Sequence, residues 1–60
     1  MSYWNIDTGH ADVIAQGMDE VTARRVAQEH ADQRGEPVYL YEVLSGGVET
    51  DYEEIAPRGG

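Results

Sequence analysis

Between Ala23 and Ala31, small and apolar side chains recur at i, i+3, i+4, i+7 and i+8: Ala23, Val26, Ala27, His30 and Ala31. That spacing collects them on one stripe of an α-helix. Arg24, Arg25, Gln28, Glu29, Asp32 and Gln33 fall on the wet side. The ends are also written in the chain. Asp19 suits an N-cap, because its carboxylate can accept from the free amides of the first turn. Glu20 places negative charge at the positive end of the helix dipole. Met18 and Ala23 occupy the two positions of a hydrophobic staple. Gly35 is a natural C′ residue, and Pro37 blocks continuation. The pattern predicts a helix over 19–34, with Glu20–Arg24 and Arg25–Glu29 as i,i+4 ion pairs. Its alanine-rich stripe lets the helix lie close on a sheet.

Beyond Pro37 the period changes to two. In the run 38–44, Val38 and Leu40 point one way, and Tyr39, Tyr41 and Val43 the other. Both faces carry apolar groups, which predicts a central strand. Ser45-Gly46-Gly47 reads as a turn. Val48 to Ile55 reads as a returning antiparallel strand, with Val48, Thr50 and Tyr52 on one side. Glu49, Asp51, Glu53 and Ile55 take the other. Near the start, Tyr3 to Asp7 predicts a strand with Trp4 and Ile6 on one face, followed by a turn at 8–11. The segment 12–18 fits two periods. Val13, Ala15 and Gly17 alternate like a strand, while Ala11, Ile14, Ala15 and Met18 keep helical spacing. A strand is favoured, because a hairpin then satisfies both short segments. The expectation is an α+β fold in ββαββ order: one α-helix packed on a mostly antiparallel sheet of three or four strands. Residues 1–56 form the single domain, and 57–60 a flexible tail.

Size changes the picture next. The chain has 60 residues, and a domain of that length buries only about 60% of its unfolded surface. It has no cysteine, so disulfides and thiolate metal sites are excluded. Self-association or a partner then becomes an attractive source of stability. The first residues have no basic and apolar pattern of a signal peptide. No run approaches the roughly 20 apolar residues of a membrane helix. The cytoplasm is the expected location, without membrane contact.

The formal net charge is -8. All four basic residues are arginine (Arg24, Arg25, Arg34 and Arg58). With no lysine there is no Schiff-base chemistry. The charge also opposes direct nucleic-acid binding, which depends on cations neutralising phosphates. The acidity serves solubility, or aims the surface at a basic partner.

Little else in the chain carries chemistry. His10 and His30 lack metal-ligand spacing, and no calcium-loop pattern surrounds Asp7 and Asp12. Ser2 and Ser45 have no histidine near them in sequence. Asp19 stands where a nucleotide phosphate would meet the helix. The expectation is no catalytic residue, no metal and no cofactor.

Three surfaces stand out. Tyr3, Tyr39, Tyr41 and Val43 mark a sheet face turned away from the helix, with Tyr52 able to join them. Tyrosine is enriched at interfaces, so this face is the expected contact, most simply in a homodimer. The second surface holds four carboxylates in six residues: Glu49, Asp51, Glu53 and Glu54. Charge on a terminal strand discourages sheet-to-sheet aggregation. The same block resembles, in general character only, small acidic phage proteins that imitate a phosphate backbone and inhibit DNA-binding enzymes. The third is Gly59-Gly60 after a flexible stretch, which resembles the tail of ubiquitin-like modifiers, whose C-terminal glycine is conjugated. The ββαββ order is shared with the β-grasp fold of that family. The favoured expectation is a non-catalytic protein–protein interaction domain that binds itself or another protein. An inhibitor of a basic groove and a modifier are the alternatives.

Overall fold

The computed structural model describes residues 2–10 and 12–59. Five elements follow in the expected order: β1 (Tyr3–Asp7), β2 (Val13–Met18), α1 (Glu20–Arg34), β3 (Val38–Val43) and β4 (Glu53–Ile55). They make an α+β fold of two layers, with α1 packed on one four-stranded sheet.

The helix begins and ends where its capping residues place it. Asp19 is extended at φ -75°, ψ 166°, and its carboxylate accepts from the Thr22 amide at 3.2 Å and the Thr22 hydroxyl at 2.8 Å. At the other end Gly35 turns left-handed at φ 68°, and its N–H donates to the Ala31 carbonyl. Ala23, Ala27 and Ala31 are completely buried. Lacking bulk, they allow the helix backbone close to the sheet, where Ile6, Val38 and Leu40 are the largest fully buried side chains. Trp4, Ile14, Ala15, Met18, Val26 and Ile55 close the margins of this core.

The sheet order is β2-β1-β3-β4, with every neighbouring pair antiparallel. Strands β2 and β3 therefore run parallel, with β1 between them. Such strands need a long crossover, and α1 supplies it. The central β1–β3 ladder is regular, pairing Ile6 with Leu40 on the helix side and Asn5 with Tyr41 on the other.

The β1–β2 ladder is not regular. Its register moves from Asp7–Val13 to Ile6–Ala15 and then to Trp4–Met18. Each shift gives β2 one residue more than β1, which is the mark of a β-bulge. Ile14 and Ala15 consequently both pack against the core. The mixed periodicity of 12–18 has this physical cause: the segment is a strand, but a strand bulged twice.

The returning strand is shorter than the pattern predicts. Only Glu53–Ile55 pairs continuously with β3, followed by a single bridge between Val43 and Glu49. From the Leu40–Glu53 pair to the Val43–Glu49 bridge, β3 advances three residues and the returning chain four. The extra residue reverses the alternation. Glu53 and Ile55 lie on the helix side with their partners Leu40 and Val38, whereas Glu49 lies with Val43 on the opposite side. The expected common face of Glu49, Asp51, Glu53 and Ile55 is thus corrected.

The segment expected as a loose tail is held as far as Arg58. Gln28 donates to the Ala56 carbonyl at 2.9 Å, and Asp32 accepts from the Arg58 backbone N–H at 2.8 Å and its guanidinium at 3.1 Å. Gly59 is exposed; Gly60 and Ala11 lie outside the described residues.

The alanine stripe sets the spacing between the layers, so enlarging it should be costly. Ala27→Leu is expected to destabilise the domain by about 1–3 kcal/mol through overpacking. Urea unfolding followed by circular dichroism measures this. An unchanged midpoint would mean that the layers are loosely packed.

Candidate functional site

Alternation along β1 and β3 delivers Tyr3, Asn5 and Asp7 to the face away from the helix, opposite Val43, Tyr41 and Tyr39 in turn. These cross-strand pairs are side-by-side neighbours. The face is partly covered rather than open. The segment between β3 and β4 folds back, and the Tyr52 ring stacks on Tyr41 with centroids 4.4 Å apart and planes 8° from parallel. Tyr41 and Val43 retain 3% and 5% of their exposure. Two of the four residues expected at an interface are therefore interior, while Tyr3 is exposed and Tyr39 half-buried. Tyr52, named only as a possible addition, is half-exposed and central to what remains.

Asn5 and Asp7 are buried polar groups on this face, and each has a local task. Asn5 Nδ2 donates to the Tyr41 hydroxyl at 3.4 Å, and its Oδ1 accepts the Gly17 N–H at 3.2 Å. The second bond satisfies an amide released by the bulge in β2. Asp7 Oδ1 accepts the Gly9 N–H at 2.9 Å and so shapes the turn after β1. Gly9 has φ 90°, and a Cβ there would lie 2.5 Å from Tyr39 Cε2. Backbone conformation and ring contact both demand glycine.

Asp7, Gly9, Tyr39 and Tyr52 line a depression of about 350 Å³. Its lining joins the buried Asp7 to two tyrosines. A second depression of about 140 Å³ adjoins it, shared by Gly9 and Tyr39 with Thr8, His10, Arg34, Glu36 and Pro37. Two further carboxylates neighbour the lining residues. Glu54 pairs with Tyr39 across β3 and β4, and Glu49 accepts from the Tyr52 hydroxyl at 3.4 Å. Desolvation, then the Glu49, Tyr41 and Asp7 charges, raise the Tyr52 phenol above its ordinary value. It remains neutral and able to donate.

The acidic block 49–54 is divided. Glu49 and Glu54 border the tyrosine face, Asp51 is exposed, and Glu53 turns toward the helix. There Arg24 grips Glu53 with two bonds of 2.8 and 2.9 Å, donates to Glu20 at 3.0 Å, and lies 5.9 Å from the Trp4 ring centre. The guanidinium holds the Glu53 carboxyl below its usual range, and both carboxylates raise Arg24. Arg58 N–H, Gln28 and the Arg58 guanidinium lower Asp32 in the same way. Among the described residues no group of three or more histidine, cysteine, aspartate or glutamate side chains is arranged to hold a metal ion. Among them, too, no helix is long and apolar enough to cross a membrane.

Sequence reasoning missed Asn5, Asp7 and Gly9. A signal for the last two was present: Asp followed two residues later by Gly is a side-chain-capped turn. Asn5 was visible only as a polar residue between Trp4 and Ile6.

Glycine at position 9 should be far less replaceable than at position 17, which is also left-handed but has no neighbour within 4 Å. Gly9→Ala is expected to cost about 2–3 kcal/mol and Gly17→Ala about 1 kcal/mol; thermal unfolding of both variants makes the comparison. Acid should also weaken the fold. Glu53, Asp19 and Asp32 titrate lower when folded than their ordinary 4.5, 3.8 and 3.8. Their contribution is therefore present above those values and is lost as pH falls through the folded ones. The melting temperature should decline below about pH 4.5, and less steeply in Glu53→Gln, whose neutral-pH melting temperature is lower from the start; identical pH profiles would dismiss the Arg24–Glu53 contribution. Set beside protein-family models, curated proteins and solved structures, the chain matches none of them.

Proposed function

We propose that the chain is a cytoplasmic, non-catalytic protein–protein interaction domain that presents Tyr3, Tyr39 and Tyr52 to a basic partner. One observation carries this reading: in a chain of net charge -8, a depression of about 350 Å³ is lined by Asp7, Gly9, Tyr39 and Tyr52. Its lining of a carboxylate, two phenols and a glycine backbone suits holding a cation more than making or breaking a bond. Aromatic rings give contact area at small entropic cost, and the surrounding charge speeds encounter with a basic surface. A second copy fits this face less well. Glu49 and Glu54 of two molecules would meet there, and burial of Tyr41 and Val43 removes apolar area from the contact.

A homodimer has a different observation in its favour. Strand β2 is one edge of the sheet, and Val13–Met18 carries no charge, unlike the Glu53-Glu54 edge opposite. Edge pairing of β2 with its copy would leave the tyrosine face available. The other two readings draw less support. Glu53 is paired away from Glu49 and Glu54, which interrupts a phosphate-like row along 49–54. The 57–58 stretch is tied to α1, which shortens the reach of a conjugated tail.

Selection of random displayed peptides on the immobilised full chain tests the main proposal. The expected survivors are rich in arginine or lysine, bind less well in high salt, and lose most binding to Tyr52→Ala. Neutral survivors, or binding indifferent to Tyr52, would reject it. Sedimentation equilibrium across the micromolar range addresses the homodimer; a monomer throughout removes that second reading and leaves the first standing.

A further inference from the structure

We infer that the Asp7–Tyr39–Tyr52 depression is a binding site for a single arginine side chain. The inference rests on the interaction reading above and names the group that the face recognises.

Three features of the site meet the three properties of a guanidinium. The first is a flat platform. Tyr52 has one ring face against Tyr41 at 4.4 Å, and the ring is half-exposed. A side chain braced in this way offers its outer face at little further entropic cost, and planar guanidinium groups stack on such faces. The second is a fixed carboxylate. Asp7 keeps only 6% of its exposure and lines the depression. Its Oδ1 is oriented by the Gly9 N–H. A carboxylate has about four lone-pair sites, so acceptor capacity remains for a charged donor. A charge-assisted hydrogen bond is roughly twice as strong as one between neutral groups. The third is the field. Glu49 accepts from the Tyr52 hydroxyl and Glu54 pairs with Tyr39, so both carboxylates neighbour residues that line the depression.

Three of the chain's own arginines pair with carboxylates away from this site. Arg24 and Arg58 are engaged with Glu53, Glu20 and Asp32, and Arg25 approaches Glu29 at 3.9 Å. Arg34 lines the adjoining depression together with Glu36. Arginine is favoured over lysine because a guanidinium is planar, lies flat on a ring and presents a fixed fork of donors, whereas an ammonium is a compact, strongly hydrated point charge. A quaternary ammonium could use the rings but has no N–H for Asp7.

The site can be tested on the isolated full chain with small probes, independently of any protein partner. Nitrogen–proton correlation spectra are recorded while Nα-acetyl-arginine methylamide is added at constant ionic strength. The lysine analogue and tetramethylammonium are added in parallel. Saturating shifts are expected at the amides of Gly9, Tyr39 and Tyr52, with the arginine probe binding at least about threefold more tightly than either alternative. Asp7→Asn keeps the side-chain oxygen that accepts from Gly9 while removing the charge, and should weaken the arginine probe about tenfold. Tyr52→Leu should weaken it about threefold. Spectra of both variants first establish that the fold is retained. If Asp7→Asn alters the fold, Tyr52→Leu together with probe selectivity decides the question. Equal binding of the three cations, shifts that merely follow ionic strength, or full affinity in a folded Asp7→Asn variant would overturn the inference. Capture of basic peptides with no probe binding at this depression would sink the arginine site but not the interaction domain. Probe binding without peptide capture would do the reverse.

Discussion

The close approach of α1 to the sheet is the constraint on which the rest depends. Ala23, Ala27 and Ala31 are wholly buried, and none has a side chain long enough to fill a gap. The space is filled from the other layer by Ile6, Val38 and Leu40. With so few large groups in the core, each contributes a sizeable part of a small total, roughly 1.5–3 kcal/mol for a buried aliphatic side chain. The margins are closed by groups that do double duty. Trp4 packs against the core and underlies Arg24, which in turn holds Glu53. The outer strand and the helix are thereby joined at the rim by charge as well as by apolar contact.

With one face of the sheet committed to the helix, the other face had to be dealt with separately. The chain covers half of it with its own returning segment. One extra residue between Glu53 and Glu49 allows Tyr52 to come down on Tyr41. Beneath that stack, Asn5 joins the Tyr41 hydroxyl and the Gly17 amide, so the bulged strand β2 is tied to the tyrosine that Tyr52 covers. The uncovered half is the depression around Asp7. The same bulge that protects Tyr41 therefore also builds a wall of the site, and stability and recognition share Tyr52.

Charge follows the same division. A chain of net charge -8 uses two of its four arginines to hold distant carboxylates, Glu53 and Asp32, across elements. These exposed pairs contribute little individually, but they fix which carboxylates are neutralised. Among the described residues, Asp7, Glu49 and Glu54 around the tyrosine face pair with no arginine, and they give that face its negative field.

The sequence by itself determined the element order, the helix and its ends, and the inward residues of β3. Each rests on interactions between neighbours in the chain: Asp19 with Thr22, Gly35 with Ala31, and alternation from Val38 to Val43. It also showed that Tyr39 and Tyr41 share a side. It could not show that Tyr41 and Val43 are covered, that Glu49 and Glu53 face opposite ways, or that Asp7 meets Tyr52. Those facts depend on where one extra residue is placed in a ladder, and that is decided by pairing with a strand distant in sequence. A register shift of one residue exchanges the faces of everything beyond it, so the site was settled only when the sheet closed.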